Sequence, residues 1–394
     1  MFNQNLPTSA ELAYNPVKKP ENQKEMWDLY NKSWEDQIRG QGIKVYEEHC
    51  SAKLRACLVG DPFSVFYPKM TVEMQALLAD NSPDLIEEWG KNANKAIRDV
   101  NPELYDGIVS DIADRDEKYQ KAGVKIIRNT VGWYPDEIIN FNQVEQGTKY
   151  LSIYNGAVWQ MARNALLITQ CAGPTKPAEP AARAATIALM EEDPDAFMAP
   201  FINREPNPTS AMGLAGLDLC DFRQMPDKTI LFNYGAPSEA AIAQVNQNGQ
   251  GAPAGWPRGR DLYMRLLSEL GYKCETMWFD SNLTYHQDCF MMNIEEGVIG
   301  LPDDGKNGMW GELPDFLKDY EIIPLPIEDI ARGVANSSTL GDGRIFIDSS
   351  CTKTMDILEK RGYELSQSTT RTAGKHSTVD WIVQTRTSGV KTTN

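Results

Sequence analysis

Three short segments of this 394-residue chain hold residues that could do chemistry. In the first, His286 and Asp288 stand one residue apart, ahead of the apolar run 289–292. If this stretch is a strand, both side chains lie on one face, because successive residues of a strand point to opposite faces. A histidine beside a carboxylate can act as a general acid or base toward a cationic ligand. The alternative is a structural His–Asp pair at a strand end, which the motif alone favours.

The other two segments are weaker when each is taken alone. Asp218 and Asp221 place two acids on a small apolar segment, where they could bind a cation or cap a turn, and the turn is favoured. His376 and Ser377 lie near the C-terminus, ahead of the strand-like residues 381–383. Neighbouring residues of a strand face opposite ways, so this pair is not a catalytic dyad by itself, and a polar loop is the simpler interpretation.

Familiar motifs of other enzyme classes are absent from the sequence. No GxSxG elbow, P-loop or GxGxxG following a strand occurs. The seven cysteines include no CxxC pair, which predicts reduced thiols in a cytosolic protein and argues against a zinc site. We expect no metal and no cofactor. The three histidines, His49, His286 and His376, are the only candidates for imidazole chemistry.

Composition narrows the classes of partner. The chain is 41% hydrophobic with a net charge of −16, which suits a globular protein and argues against nonspecific binding of nucleic acid or anionic membranes. Its start lacks the basic and apolar regions of a secretory signal, and no apolar run is long enough to span a bilayer. We therefore expect a cytoplasmic protein without nucleic-acid or membrane partners.

The elements that must position these residues follow a repeating pattern. Helix-like segments end at Gly123, Gly271 and Gly362, each followed by a short strand, and residues 316–320 lead to a strand without a glycine. Hairpin signals precede these helices. The unit strand, strand, helix, strand recurs roughly every 50–75 residues, which indicates a radial or stacked array with its site at the centre. An ordinary α/β sandwich is the alternative. The predicted strand pairs are 217–225 with 229–234, 286–294 with 298–301, and 335–340 with 344–348.

Composition also suggests how the chain is divided. Residues 1–52 are predicted to be an N-terminal extension, and residues 53–394 a single domain. An insertion is expected near residues 173–213, which are rich in proline and alanine.

Taken together and in this order, the three segments resemble the guanidino-group-modifying superfamily, most closely the glycine and inosamine amidinotransferases. Those enzymes carry a paired-Asp segment, an HxD strand and a C-terminal His-Cys. The resemblance implies a five-bladed α/β propeller, the pentein fold, built of ββαβ units. The matching segments are 53–60, 217–221, 285–290 and 374–377, followed by Thr378, Asp380 and Arg386.

The resemblance also implies a mechanism with a small guanidino donor and an amine acceptor. A thiolate attacks the guanidinium carbon, a histidine protonates the departing amine, and a second amine or water takes the amidino group from the enzyme. By position, Asp221 and Asp288 hold the guanidinium, His286 is the acid or base, and Ser377 stands in the nucleophile's place. The further substrate-binding residues are Asp218, His376 and Asn336. A homo-oligomer is compatible with this assignment.

Ser377 departs from the pattern, because a neutral hydroxyl attacks a resonance-stabilised cation far more slowly than a thiolate does. The serine indicates an engineered variant, a natural member that lost catalysis and binds or builds instead, or altered chemistry. Cys289 or Cys220 could also stand in for the nucleophile, although each is better explained as a small buried residue. A guanidine hydrolase of the same fold is a third functional hypothesis.

A second departure concerns the far end of the donor. The amidinotransferases place an arginine that fits a donor carboxylate at the position of Asp304, which would repel that group. The donor then lacks a carboxylate, or Lys306 substitutes for the arginine.

Overall fold

The computed structural model describes residues 22, 24–25, 35, 37–59, 67, 83–93, 95–128, 159–169, 187–201, 222–247, 264–284, 287–368 and 390–392. These residues form an α/β fold with several small sheets. Residues 187–192 and 264–269 are also helical. The helices with defined bounds are Pro83–Asn92, Ile97–Val100, Pro102–Lys121, Glu239–Gln247, Ile327–Ile330 and Thr352–Lys360.

Strands from the two ends of the chain meet in a short ribbon, and the first sheet is a parallel pair. The ribbon joins β1 (Ile43–Val45) antiparallel to β17 (Val390–Thr392). The first sheet pairs β2 (Ala56–Val59) with β3 (Lys125–Arg128).

Four further sheets share one arrangement, in which the first strand runs antiparallel to the second and the second parallel to the third. A fourth strand, β12 (Met309–Trp310), extends the third sheet beside β9. The second sheet holds β4 (Trp159–Ala162), β5 (Ala165–Thr169) and β6 (Phe197–Phe201), and the third β7 (Phe222–Met225), β8 (Thr229–Ala236) and β9 (Lys273–Asp280). The fourth holds β10 (Met292–Glu295), β11 (Val298–Pro302) and β13 (Glu321–Leu325), and the fifth β14 (Ser338–Gly341), β15 (Arg344–Asp348) and β16 (Glu364–Ser368).

The glycines predicted to end helices do so. Gly123, Gly271 and Gly362 have φ of 84°, 81° and 90°, a left-handed conformation that glycine adopts without steric cost. The strands that follow within a few residues are β3, β9 and β16, which run parallel to β2, β8 and β15. This local rule therefore positions the parallel strand in three of the sheets.

The prediction of a strand over residues 286–294 is wrong for residues 287–289. Gln287–Cys289 form a 3-10 turn, and β10 starts only at Met292. Phe290 and Met291 pack into the core between the third and fourth sheets, whereas Met292 packs between the fourth and fifth. An unbroken apolar run gives no alternation to fix a strand, and the backbone turns so that neighbouring residues reach two cores.

The core is divided among interfaces between consecutive sheets. Each interface buries aliphatic and aromatic side chains from both partners, and this burial is the main stabilising contribution to folding. The fifth sheet packs against the first, so the last and first units of the chain are neighbours. Residues that belong to one cluster from both partners are Leu167 and Phe232, Leu231 and Leu301, Ile294 and Ile347, and Cys57 and Phe346.

Residues 43–50 are held to the second and third sheets by polar contacts. The Gln224 side chain accepts from the N–H of Arg163 at 2.8 Å and donates to the carbonyl of Glu47 at 2.8 Å. Asp193 accepts from the N–H of Val45 at 2.8 Å. The division of the chain at residue 52 and the insertion near 173–213 stay predictions.

Candidate functional site

The sequence-predicted site residues divide into two groups. Asp288 and Asn336 belong to the part of the chain that the structure describes. The other five lie outside the described residues, and their roles stay predictions: Asp218, Asp221, His286, His376 and Ser377.

Two 3-10 turns position the described pair. Asp288 lies in the turn Gln287–Cys289 ahead of β10, and Asn336 ends the turn Val334–Asn336 ahead of β14. Gly333 precedes the second turn with φ of 79°, and its carbonyl accepts from the N–H of Asn336 at 2.9 Å. In the sequence, each turn comes shortly before the first strand of its own sheet. Both turns lie next to the core that the fourth and fifth sheets share.

The side chain of Cys289 connects the two turns. Its thiol donates to Oδ1 of Asp288 at 3.4 Å, and its sulfur accepts from Nδ2 of Asn336 at 3.5 Å. Asp288, Cys289 and Asn336 are each only 6% exposed. Cys289, for which a small buried residue is the favoured interpretation of the sequence, thus joins the predicted site residues Asp288 and Asn336.

The contacts of the Asp288 carboxylate do little to offset the free-energy cost of its burial. Within the described ranges its hydrogen-bond donor is the Cys289 thiol, a weak one, and no lysine or arginine pairs with it. A buried carboxylate is costly unless charge or strong hydrogen bonds offset its lost hydration. A cationic ligand with N–H groups would supply both.

Another buried aspartate shows what a structural role looks like in this chain. Asp329 is fully buried and accepts from the N–H and the hydroxyl of Thr354 at 2.7 and 2.8 Å. It also pairs with Arg332 at 2.9 Å. Asp288 differs from Asp329 in that its donor among the described residues is a thiol.

The turn after β11 contains Asp304 and Lys306, the two residues predicted to face the far end of a guanidino donor. Oδ1 of Asp304 accepts from the N–H groups of Lys306 and Gly308 at 3.0 and 2.8 Å, so the carboxylate caps its own loop. The ammonium of Lys306 contacts Asp280 at 2.6 Å and stacks 3.6 Å from the ring centre of Trp310. Lys306 is therefore already neutralised, which weakens the hypothesis that it replaces a carboxylate-binding arginine.

The Asp280–Lys306 pair also shifts an acid's pKa. Burial by itself would raise the pKa of Asp280, but hydrogen bonds from Lys306 and Asn282 and the charge of Lys306 outweigh it. The pKa of this carboxyl is consequently lowered from its ordinary value of 3.8.

Sequence reasoning missed the contact between Cys289 and Asn336. The two residues are 47 positions apart, and no local pattern connects them. The one signal for this contact in the sequence is that Cys289 directly follows Asp288, the residue predicted to bind the guanidinium.

Among the described residues, no group of three or more histidine, cysteine or acidic side chains is arranged to hold a metal ion. None of the helices in those ranges combines the length and apolar character needed to cross a bilayer.

Comparison with solved structures shows a fold shared with two amidinotransferases and a dimethylarginine dimethylaminohydrolase. The inosamine-phosphate amidinotransferase of Streptomyces griseus superposes with a TM-score of 0.64 at 14% identity, covering 89% of this chain and 97% of that one. An amidinotransferase of the saxitoxin biosynthetic pathway of Microseira wollei gives 0.59 at 13%, covering 90% and 97%. A dimethylarginine dimethylaminohydrolase variant bound to S-methyl-L-thiocitrulline gives 0.53 at 10%, covering 84% and 98%.

These likenesses establish the fold, and the resemblance found in the sequence is confirmed at that level. No protein-family model matches the chain. No curated protein sequence matches it either.

Proposed function

We propose that this chain binds the guanidinium group of a small compound at Asp288 and is an amidinotransferase-like protein. One observation carries the proposal: the Asp288 carboxylate is buried beside a thiol and, among the described residues, meets no cation. A guanidinium is planar and cationic and presents paired N–H groups, which carboxylates bind bidentately. The shared fold supports the same class of ligand.

The remaining roles in the proposed site follow the resemblance. Asp221 holds the guanidinium opposite Asp288, and His286 protonates the departing amine. Attack by the group at position 377 forms a bond to the guanidinium carbon as the bond from that carbon to the amine breaks. A second amine then takes the amidino group. Asp218, His376 and Asn336 contact the donor or acceptor.

The five sheets provide a way to gather these residues. Each consecutive pair from the second sheet to the fifth shares a core, and the fifth packs on the first. We propose that the units close into a five-bladed α/β propeller. Asp221 directly precedes β7, and His286 and Asp288 precede β10, so closure would direct all three toward the centre.

Two alternatives remain within the same fold. A hydrolase that delivers the group to water is favoured by the similarity to a dimethylarginine dimethylaminohydrolase. A catalytically inactive protein that binds or builds is favoured by Ser377, because a neutral serine hydroxyl is a poor nucleophile without a strong adjacent base.

Intact-mass measurement of Ser377→Cys separates these functions. The variant is mixed with arginine, agmatine, guanidinoacetate and aminoguanidine, with the unaltered chain and Ser377→Ala as controls. We expect the cysteine variant alone to gain the mass of one amidino group, which an added amine then removes. Release as a ureido product or urea without an amine identifies the hydrolase. A folded variant that forms no adduct with any donor contradicts both enzymatic functions.

A further inference from the structure

We propose that Cys289 is a positioning residue, whose thiol fixes the orientation of the Asp288 carboxylate by joining it to Asn336. The inference rests on the proposed function, because it gives the guanidinium-binding carboxylate a supporting partner. It also gives Asn336 a second role, as the residue that orients the thiol.

The direction of the two contacts is set by chemistry. The amide nitrogen of Asn336 is only a donor, so at 3.5 Å the sulfur of Cys289 accepts from it. The S–H of Cys289 then points to Oδ1 of Asp288 at 3.4 Å. The amide, thiol and carboxylate form a hydrogen-bonded series that leaves Oδ2 of Asp288 and the second lone pair of Oδ1 to a ligand.

The two turns that carry these hydrogen-bonded side chains are each anchored in a packed core. Phe290, next to Cys289, is fully buried and stacks on Phe279 with ring centres 5.2 Å apart. Val334 and Ala335, next to Asn336, pack in the core shared by the fourth and fifth sheets. The backbone of each turn is thus fixed, and Cys289 is the polar link between the two side chains.

The link matters because of how an aspartate moves. The torsion that turns a carboxylate is broad, so backbone position alone does not fix the plane of its oxygens. Bidentate binding of a guanidinium requires that plane to be set before the ligand arrives. Losing one net hydrogen bond of this kind corresponds to about a three- to tenfold loss of affinity.

The same contacts argue against Cys289 as a substitute nucleophile. A thiolate there would face the Asp288 carboxylate at 3.4 Å, and like charges at that distance repel. The thiol form, which can donate, is the one that the geometry favours.

The test is calorimetric titration of methylguanidine, agmatine and arginine into the unaltered chain and its variants. Cys289→Ala and Asn336→Ala should each weaken the affinity about three- to tenfold, and the double variant should be no weaker than the worse single one. Cys289→Ser keeps a donor and an acceptor and should restore affinity to within about twofold. Cys351→Ala is the matched control, because Cys351 is a fully buried thiol in the neighbouring core, and its loss should lower the melting temperature without changing affinity.

The outcomes separate the two levels of the proposal. If the unaltered chain binds a guanidine and Cys289→Ala and Asn336→Ala bind it equally well, the positioning role is overturned, while guanidinium binding at Asp288 stands. If Cys289→Ala does not fold, Cys289→Val, which also lacks a donor, takes its place, and an affinity equal to that of Cys289→Ser overturns the positioning role. If the unaltered chain binds none of the three compounds, the proposed function fails, and this inference fails with it.

Discussion

At the residue scale, two acids with similar burial behave differently because their partners differ. Asp329 is satisfied by Thr354 and Arg332, whereas Asp288 has the Cys289 thiol. A buried carboxylate is costly unless charge or strong hydrogen bonds offset its lost hydration. Asp329 receives both from its own fold, whereas we propose that a ligand supplies them to Asp288.

Asp280 leads to a prediction about acid stability. Its folded-state pKa lies below the ordinary 3.8, so its contribution to stability is complete above that value and is lost as the pH falls through the folded pKa. Asp280→Asn should flatten the fall in the free energy of unfolding between about pH 5 and pH 2, measured by urea denaturation. Lys306→Met should give an intermediate slope, because Asn282 still donates to the carboxylate. Identical slopes for all three proteins would contradict this assignment.

The sequence predicts residue types for the candidate site, which stay a prediction, but it does not predict the contacts between them. Asp288 and Asn336 were identified by type and by resemblance, and the structure places them on either side of one sulfur. Contacts between side chains 47 positions apart depend on how two sheets pack, which no local pattern encodes.

At the element scale, local chemistry predicts the parts that depend on backbone conformation. Gly123, Gly271 and Gly362 end helices because glycine readily adopts positive φ. The start of β10 was mispredicted because Phe290 to Met292 are all apolar, so only tertiary packing decides which core each enters. Burial on two sides thus overrides a strand pattern.

Thr339 and Ser338 offer a matched test of how the fourth and fifth sheets are joined. The buried hydroxyl of Thr339 is shared between the carbonyls of Asn293 and Ile294 on β10. Thr339→Val should lower the free energy of unfolding by about 1–3 kcal/mol, because both carbonyls lose this donor.

Ser338 is the control, since its buried hydroxyl has no hydrogen-bond partner among the described residues. Ser338→Ala should be neutral or slightly stabilising in the same denaturant titration. Equal losses for the two variants would show that the shared hydroxyl is not what joins these strands.

At the scale of the whole molecule, the repeat predicts an array, and the second to fifth sheets pack in chain order. That the fifth sheet returns to the first depends on tertiary contacts alone. Two contacts belong to this junction. The rings of Tyr119 and Phe346 meet edge to face with their centres 5.2 Å apart. The N–H of Leu54 donates to the carbonyl of Leu340.

Two glycines of one turn test this junction. Both have positive φ, but a Cβ on Gly341 would lie 2.5 Å from the Cα of Lys53, whereas nothing lies within 4 Å of one on Gly343. Gly343→Ala should cost about 1 kcal/mol from backbone strain alone. Gly341→Ala should cost about 1–3 kcal/mol more, because backbone must move. Similar unfolding free energies for the two variants would mean that residue 53 does not approach the fifth sheet this closely.

Calorimetric titration of the unaltered chain and of Asp288→Asn shows whether a guanidinium group binds at Asp288. We predict that the chain binds at least one of methylguanidine, agmatine and arginine, and that Asp288→Asn weakens binding more than about tenfold, since a charge-assisted hydrogen bond is lost. The variant should melt no lower than the chain itself, whereas the control Asp329→Asn should melt lower and bind equally well. Equal affinity of the chain and Asp288→Asn, or no binding of any guanidine by the folded chain, would contradict the account.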